Sequence, residues 1–302
     1  MAAIRYLKHP EINKSKWDDC ISKAPNGLIY GYSYYLDALC DHWDGLVLND
    51  YEAVMPLPWR QKWSIYYLYQ PFLVAQLGLF GAHPTPAMLE DFLKSIPKKF
   101  RYWDFMMNHQ NVWPLPQFEL YQRSNFVLNL HTPYEQLYKA YRENIRRNIK
   151  KAIGYQCTVQ KDFGVDEVIA LAQQQPANTA TATDYNRFKN LYHFLHRQKQ
   201  AITYGVYSAT QQLLASCVFF FSHRRAYYIL VGNHPNGRTL GASHLLIDAF
   251  IKDHAGQPLL LDFEGSDIRN LAFFYSSFGA AEEKFAAIKL NRLPWYVKWL
   301  KE

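Results

Sequence analysis

Residues 225–253, RAYYILVGNHPNGRTLGASHLLIDAFIKD, decide the fold. The segment opens on a run of aromatic and aliphatic side chains at 225–232 that reads as a strand. Asn236-Gly237 breaks the chain, and 238–253 then carries an apolar pattern at helical spacing. Upstream, 203–208 and 213–222 read as two further strands, and the short turn Ser222-His223-Arg224 folds 213–222 against 225–232 as a hairpin. Downstream come a short, strongly apolar strand at 259–263 (LLLDF), a helix at 267–277 and a last strand at 285–290. Three antiparallel strands, a helix, a strand, a helix and a strand make a layered α/β (α+β) domain. The loop Arg238-Thr-Leu-Gly241-Ala242-Ser243 leads from the third strand into its helix. Backbone N–H groups and the positive end of a helix dipole at such a place form an anion site, and glycine lets a phosphate approach the backbone.

The chain before this segment has a different texture. Eight of its fifteen prolines, at 56, 58, 71, 84, 86, 97, 114 and 116, cut residues 55–116 into short elements. Strand-like aromatic runs at 63–69 (WSIYYLY) and 101–107 (RYWDFMM) flank a helix at 86–96, with Thr85 as its N-cap and Pro86 in its first turn. Another helix is predicted at 33–43. Residues 126–130 (FVLNL) alternate as a strand. Thr132 then caps a long helix reaching about Ile153, with Pro133 at its first position and Glu135 completing a capping box. Its apolar stripe is Leu137, Tyr141, Ile145, Ile149 and Ala152 or Ile153. Arg142, Arg146, Arg147, Lys150 and Lys151 occupy much of the remaining circumference. Helices are read at 165–173 and 184–198, with a Gln/Ala/Thr-rich loop between them.

Composition excludes several classes. Hydrophobic residues make up 49% and charged residues 20%, a globular balance rather than a disordered one. The 302 residues predict about two domains. No run of ~18 apolar residues marks a membrane span, and the N-terminus does not read as a secretory signal, so a cytoplasmic protein is expected. Cys20, Cys40, Cys157 and Cys217 form no C-x-x-C pair and are expected as buried thiols. His193 and His196 stand three apart without an H-E-x-x-H pattern, so no metal is expected. The net charge of +7 admits an anionic partner without choosing among nucleotide, coenzyme, RNA or a membrane surface.

The Arg238–Ser243 loop resembles the Q/R-x-x-G-x-G/A pattern of GNAT acyltransferases, departing from it at Ser243. The chain as a whole resembles the Fem-type aminoacyl transferases, which are tandem GNAT-like proteins. The resemblance rests on Phe126–Leu130 followed by Arg146-Arg-Asn148-Ile-Lys-Lys-Ala152, on Leu261-Asp262-Phe263-Glu264-Gly265, and on Phe274-Tyr275-Ser-Ser-Phe278-Gly279. It covers roughly 126–290. It implies two tandem GNAT-like domains, each a mixed, mostly antiparallel sheet flanked by helices: 1–130, completed by 291–302, and 131–290. The tail 294–301, with Trp295, Trp299 and Leu300 on one helical face, is expected to pack on the first domain. The resemblance also implies that Arg238, Gly241, Ala242 and Ser243 hold the pyrophosphate of acetyl-coenzyme A or another acyl-coenzyme A. Where the Fem pattern has Lys, this chain has Tyr275, which in ordinary GNAT enzymes protonates the departing thiolate. That exchange, together with the lack of a coiled-coil insertion, favours an N-acyltransferase acting on a small-molecule or peptide amine. Aminoacyl transfer from charged tRNA is the alternative within the class, and a non-catalytic GNAT-fold binding protein the alternative outside it.

An amine must be neutral to attack an acyl carbonyl, so a base is needed. Glu264, at the end of LLLDF, is the candidate base, Asp262 a weaker one, and His244 the next in line. The competing roles for the two carboxylates are capping the following helix or pairing with an arginine. Tyr275 is the candidate acid, or one more core aromatic of its helix. Backbone N–H groups near Leu230 to Gly232 are the candidate oxyanion donors.

Overall fold

In a computed structural model, which describes residues 3–175, 179–265 and 267–295, the chain forms two compact units. The first comprises the residues up to Arg123 and those from Lys284 onward; the second is Ser124–Glu283. The sequence reading drew these division points at 130/131 and 290/291. No helix among the described residues is long and apolar enough to cross a membrane.

The first unit runs β1 (Ile4–Leu7), α1 (Lys14–Lys23), α2 (Ser33–Leu39), β2 (His42–Leu48), β3 (Ala53–Lys62), β4 (Ile65–Tyr69), β5 (Phe80–Gly81), α3 (Pro86–Lys94) and β6 (Phe100–Met106). The Thr85 side chain accepts from Met88 N–H and Pro86 opens the helix, as the sequence predicts for α3. The sheet order is β1-β2-β3-β4-β6, with β5 on β3. Neighbours are antiparallel apart from β4 and β6. β3 accommodates Pro56 and Pro58 because β5 pairs only Ala53 and Val54 and β4 begins its pairing at Trp59. Between those points β3 is paired with β2 alone, and a missing N–H breaks no second ladder. Leu46, Met55, Leu57, Phe92, Phe100 and Trp103 anchor the core of this unit.

The second unit begins within β7 (Tyr121–Asn129) and continues α4 (Tyr134–Ala140), α5 (Glu143–Gly154), β8 (Thr158–Lys161), α6 (Val165–Gln173), α7 (Ala182–Arg197), β9 (Ala201–Tyr207), β10 (Leu213–Ser222), β11 (Arg225–Asn233), α8 (Pro235–Leu240), α9 (Ala242–His254), β12 (Leu260–Asp262) and α10 (Arg269–Ser276). β13 (Ala281–Asn291) leads the chain into the first unit, where its later residues pair antiparallel with β6. Within this unit the strand order is β7-β12-β11-β10-β9-β8. Only β11 and β12 run parallel. Phe219 and Phe250 stack at 3.7 Å between ring centroids in a core that also holds Leu128, Ile149, Leu246 and Phe278. All four cysteines are free and buried.

Two long helices of the sequence reading are each two helices. The predicted helix from Thr132 to Ile153 is interrupted at Tyr141, whose backbone is extended (ψ 138°). Tyr141 is buried there, and the next amide, Arg142 N–H, donates to Ser277 O at 2.9 Å instead of continuing the helix. The N-cap is Pro133, without a side-chain cap bond, so the expected Thr132–Glu135 capping box does not form. The predicted helix 238–253 is divided at Gly241 into α8 and α9. β8, an exposed edge strand, is an addition to the sequence reading. Trp299 and Leu300 lie outside the described residues, whereas Trp295 is 85% exposed.

Candidate functional site

β11 and β12 part company within the second unit. They pair only over Arg225–Tyr227 with Leu260–Asp262. Beyond Asp262 the chain stays with β7, Phe263 N–H donating to Phe126 O at 3.0 Å, while β11 runs on to Asn233. The divergence is reinforced on the other side of β11. Ser216 opposes Gly232 and Val218 opposes Ile229, so Leu230 and Val231 together face Cys217. This is a β-bulge, and Leu230 takes a left-handed φ of +49° in it. A bulge removes residues from the ladder and re-aims their amides, which is what an oxyanion donor near Leu230 to Gly232 requires.

The other side of the split begins with Glu264. Its φ is +66°, a strained value for a residue with a side chain. Asp262 stabilises that turn, since its Oδ1 accepts Glu264 N–H at 2.9 Å. Asp262 Oδ1 also accepts from Asn125 Nδ2 at 2.9 Å, and Oδ2 accepts from Arg225 Nη1 at 2.8 Å. Arg225, itself buried, bonds both carboxylate oxygens of Glu283 at 2.7 and 2.9 Å. Asp262 is therefore consumed by the arginine pairing that the sequence left open for it. Glu264 is the carboxylate at the split, and burial pushes its pKa well above the ordinary carboxylate range. Tyr275 stacks on Phe263 at 4.5 Å, and both burial and the charge of Glu264 raise its pKa. Both candidate groups thus favour their protonated forms.

His244, the reserve base, packs edge-on against Phe274 at 4.9 Å, with its Nδ1 buried and without a partner. Burial lowers its pKa to about 4. It is neutral at neutral pH but far too weak a base to hold a proton taken from an amine.

The loop toward α9 departs from the sequence reading in one respect. Gly241 has φ +80°, and a Cβ there would lie 2.6 Å from Asn148 O of α5. Glycine is required by the left-handed bend and by the approach of α5. Ala242 is buried in the core, and Ser243 Oγ donates to Asn233 Oδ1, which ties α9 to the end of β11. Arg238 is exposed in the last turn of α8. α5 lies against both α8 and α9. Its Arg147, Lys150 and Lys151 are exposed and Arg146 half-buried. Among the described residues, none of these four nor Arg238 is in an ion pair. Four cations of α5 and Arg238 of α8 are thus uncompensated among the described residues, on helices that pack against one another.

The sequence reading missed the clamp of Arg225 with Asn125, Asp262 and Glu283, and the bulge at Leu230. A lone aspartate inside the apolar run LLLDF is the signal for the clamp, because a buried carboxylate demands a partner. The bulge leaves no mark in the sequence. No group of three or more His, Cys, Asp or Glu suited to a metal occurs among the described residues.

Residues 139–267 match the acetyltransferase (GNAT) domain family. No curated protein sequence matches the chain. Among solved structures, FemX is similar over 98% of this chain and 99% of its own, at TM-score 0.64 and 12% identity. A conserved protein of Bacteroides thetaiotaomicron is similar over 96% of this chain and 100% of its own, at TM-score 0.57 and 12% identity. L-PGS from Bacillus licheniformis follows at TM-score 0.55 and 10% identity, covering 97% of this chain and 96% of that one. Residues 139–267 of the chain thus match the acetyltransferase (GNAT) domain family, and nearly the whole chain shares the fold of FemX.

Proposed function

We propose that this protein transfers an aminoacyl group from charged tRNA to a primary amine. The amine nitrogen attacks the ester carbonyl, and the oxyanion that forms is met by backbone N–H groups at the Leu230 bulge. Glu264 takes the proton released by the nitrogen. The bond from the carbonyl carbon to the ribose oxygen breaks, and that oxygen takes a proton from the Tyr275 hydroxyl. The observation that carries this reading is the basic face of α5, without ion pairs among the described residues, on a helix that packs against α8 and α9, since a polyanionic donor needs such a track. The FemX-like and L-PGS-like fold supports it further.

A second reading, transfer from an acyl-coenzyme A, is favoured by Arg238-x-x-Gly241 at the entry of α9. Whichever donor binds raises the apparent stability of the folded chain, by about 2.7 kcal/mol at a hundredfold excess over Kd. Thermal shift with charged tRNA, uncharged tRNA, acetyl-coenzyme A and a long-chain acyl-coenzyme A separates the readings. A shift with charged tRNA and none with either coenzyme A ester is expected. The converse pattern would replace the first reading by the second. No shift with any of them, and no product from any amine, would leave a binding protein.

A further inference from the structure

The first unit holds two adjoining cavities, of about 490 and 440 Å³, whose walls share Tyr66 and Lys99. Lys99 Nζ lies 4.8 Å from the Phe100 ring centroid, 5.0 Å from Tyr6, 5.5 Å from Tyr66 and 5.7 Å from Trp59. The carboxylate it pairs with is Asp44, at 3.9 Å, beyond hydrogen-bonding distance. Asp44 is already engaged, one oxygen by the Tyr6 hydroxyl and the other by His9 N–H at 3.0 Å. The Lys99 ammonium is thus surrounded by aromatic faces and, among the described residues, makes no hydrogen bond.

Two more unmet donors stand on these walls. Arg101, exposed, lines the smaller cavity and is in no ion pair among the described residues. Trp59 Nε1, in the wall of the larger one, is buried without a partner. Among the described residues, the smaller cavity is lined by no carboxylate. Its rim carries Trp63, 70% exposed and held at φ +47° in the turn between β3 and β4, with Lys62 Nζ 4.7 Å from its ring. A large indole left in water on a strained backbone adds nothing to the core.

We propose that this cavity binds an oxyanion carried on an aromatic body, with the carboxylate or phosphate between Lys99 and Arg101 and the ring on Trp63 and Tyr66. Surplus donors call for an acceptor, two cations call for negative charge, and exposed aromatic faces call for a flat partner. The site lies wholly within the first unit and stands independently of the transfer reaction.

Calorimetric titration of the full-length chain tests it, with phenyl phosphate and phenylacetate as probes and inorganic phosphate and benzyl alcohol as controls. Ligands of this size bind in about the millimolar range. Each control should bind about tenfold more weakly than the probes, because it lacks one of the two recognised parts. Trp63→Ala and Arg101→Gln, both at exposed positions, should each weaken the probes about tenfold without lowering the melting temperature. Preference for phenyl phosphate assigns the site to phosphate-bearing compounds, and preference for phenylacetate to carboxylates. Absence of saturable binding by both probes, or probe binding unchanged in both variants, would overturn the proposal.

Discussion

Glu264 combines two costs at one position, a left-handed backbone and a carboxyl held in a site that disfavours its charge. A residue kept for structure alone gains nothing from either. The sign of the second cost is definite. With its folded pKa raised, Glu264 binds a proton more tightly in the folded chain than in the unfolded one. Its penalty on stability appears as pH rises through the ordinary carboxylate range near ~4.3 and is complete above the raised value. Glu264→Gln should therefore raise the melting temperature at neutral pH and lower turnover by about 10² to 10⁴-fold. The rising limb of the kcat/KM profile in the parent should lie above the ordinary carboxylate range and vanish in the variant. A variant that loses stability and keeps activity would assign Glu264 to structure. Tyr275→Phe discriminates donors. A ribose alkoxide is a far stronger base than a thiolate, so an ester donor depends on the acid much more than a thioester does. The sequence pointed to both residues through their neighbours, but not to the burial that shifts them. At Gly241 the structure adds a demand for glycine that the sequence did not show. Gly241→Ala meets a positive φ and a backbone carbonyl at once. A loss of about 1–3 kcal/mol in urea denaturation is expected, with or without ligand.

At the level of elements, the split between β11 and β12 is held at its base by Arg225. Its guanidinium spans Asp262 of β12 and Glu283 of β13, each at 2.7–2.9 Å. Removing the cation would strand two carboxylates in or near the interior, which costs more than the pair contributes. Arg225→Met should destabilise the chain by about 3–5 kcal/mol in denaturant unfolding. A change under ~1 kcal/mol would show that the split is held by packing alone. This level also marks the limit of what periodicity reveals. β10, α6 and α3 were legible because local signals and tertiary demands agree, as in the Thr85 cap bond and the Pro86 start. The breaks at Tyr141 and Gly241 were not. At each, apolar spacing runs through uninterrupted and a contact distant in sequence decides: Ser277 O for the one, Asn148 O for the other. The bulge at Leu230 is likewise made by register between strands, which no single strand encodes.

For the molecule as a whole, the charge balance is what separates the two donors. The chain carries 33 Lys and Arg against 26 Asp and Glu, and many of the acids are spent in pairs such as Lys161–Asp253 and Lys189–Asp166. Among the described residues, Arg146, Arg147, Lys150 and Lys151 of α5 are not. A helix presenting free cations along one side follows a phosphate backbone, whereas a coenzyme offers only a few charges at one end. Binding of tRNA should therefore weaken steeply with salt, each phosphate contact adding about 0.7–0.9 to the slope of log K against log salt. Replacing Arg147, Lys150 and Lys151 together by Gln should flatten that slope by about 2 to 3 and leave the fold unchanged, since all three side chains are exposed. The triple variant should also lose turnover at moderate salt and regain much of it at low salt, where the remaining contacts suffice. Filter binding across a salt series measures the first effect and single-turnover transfer the second. Should the slope stay the same after the replacement, the basic face of α5 is a solvated surface and the donor is held elsewhere. Arg238 and the entry of α9 would then become the place to test first, with acyl-coenzyme A as the ligand.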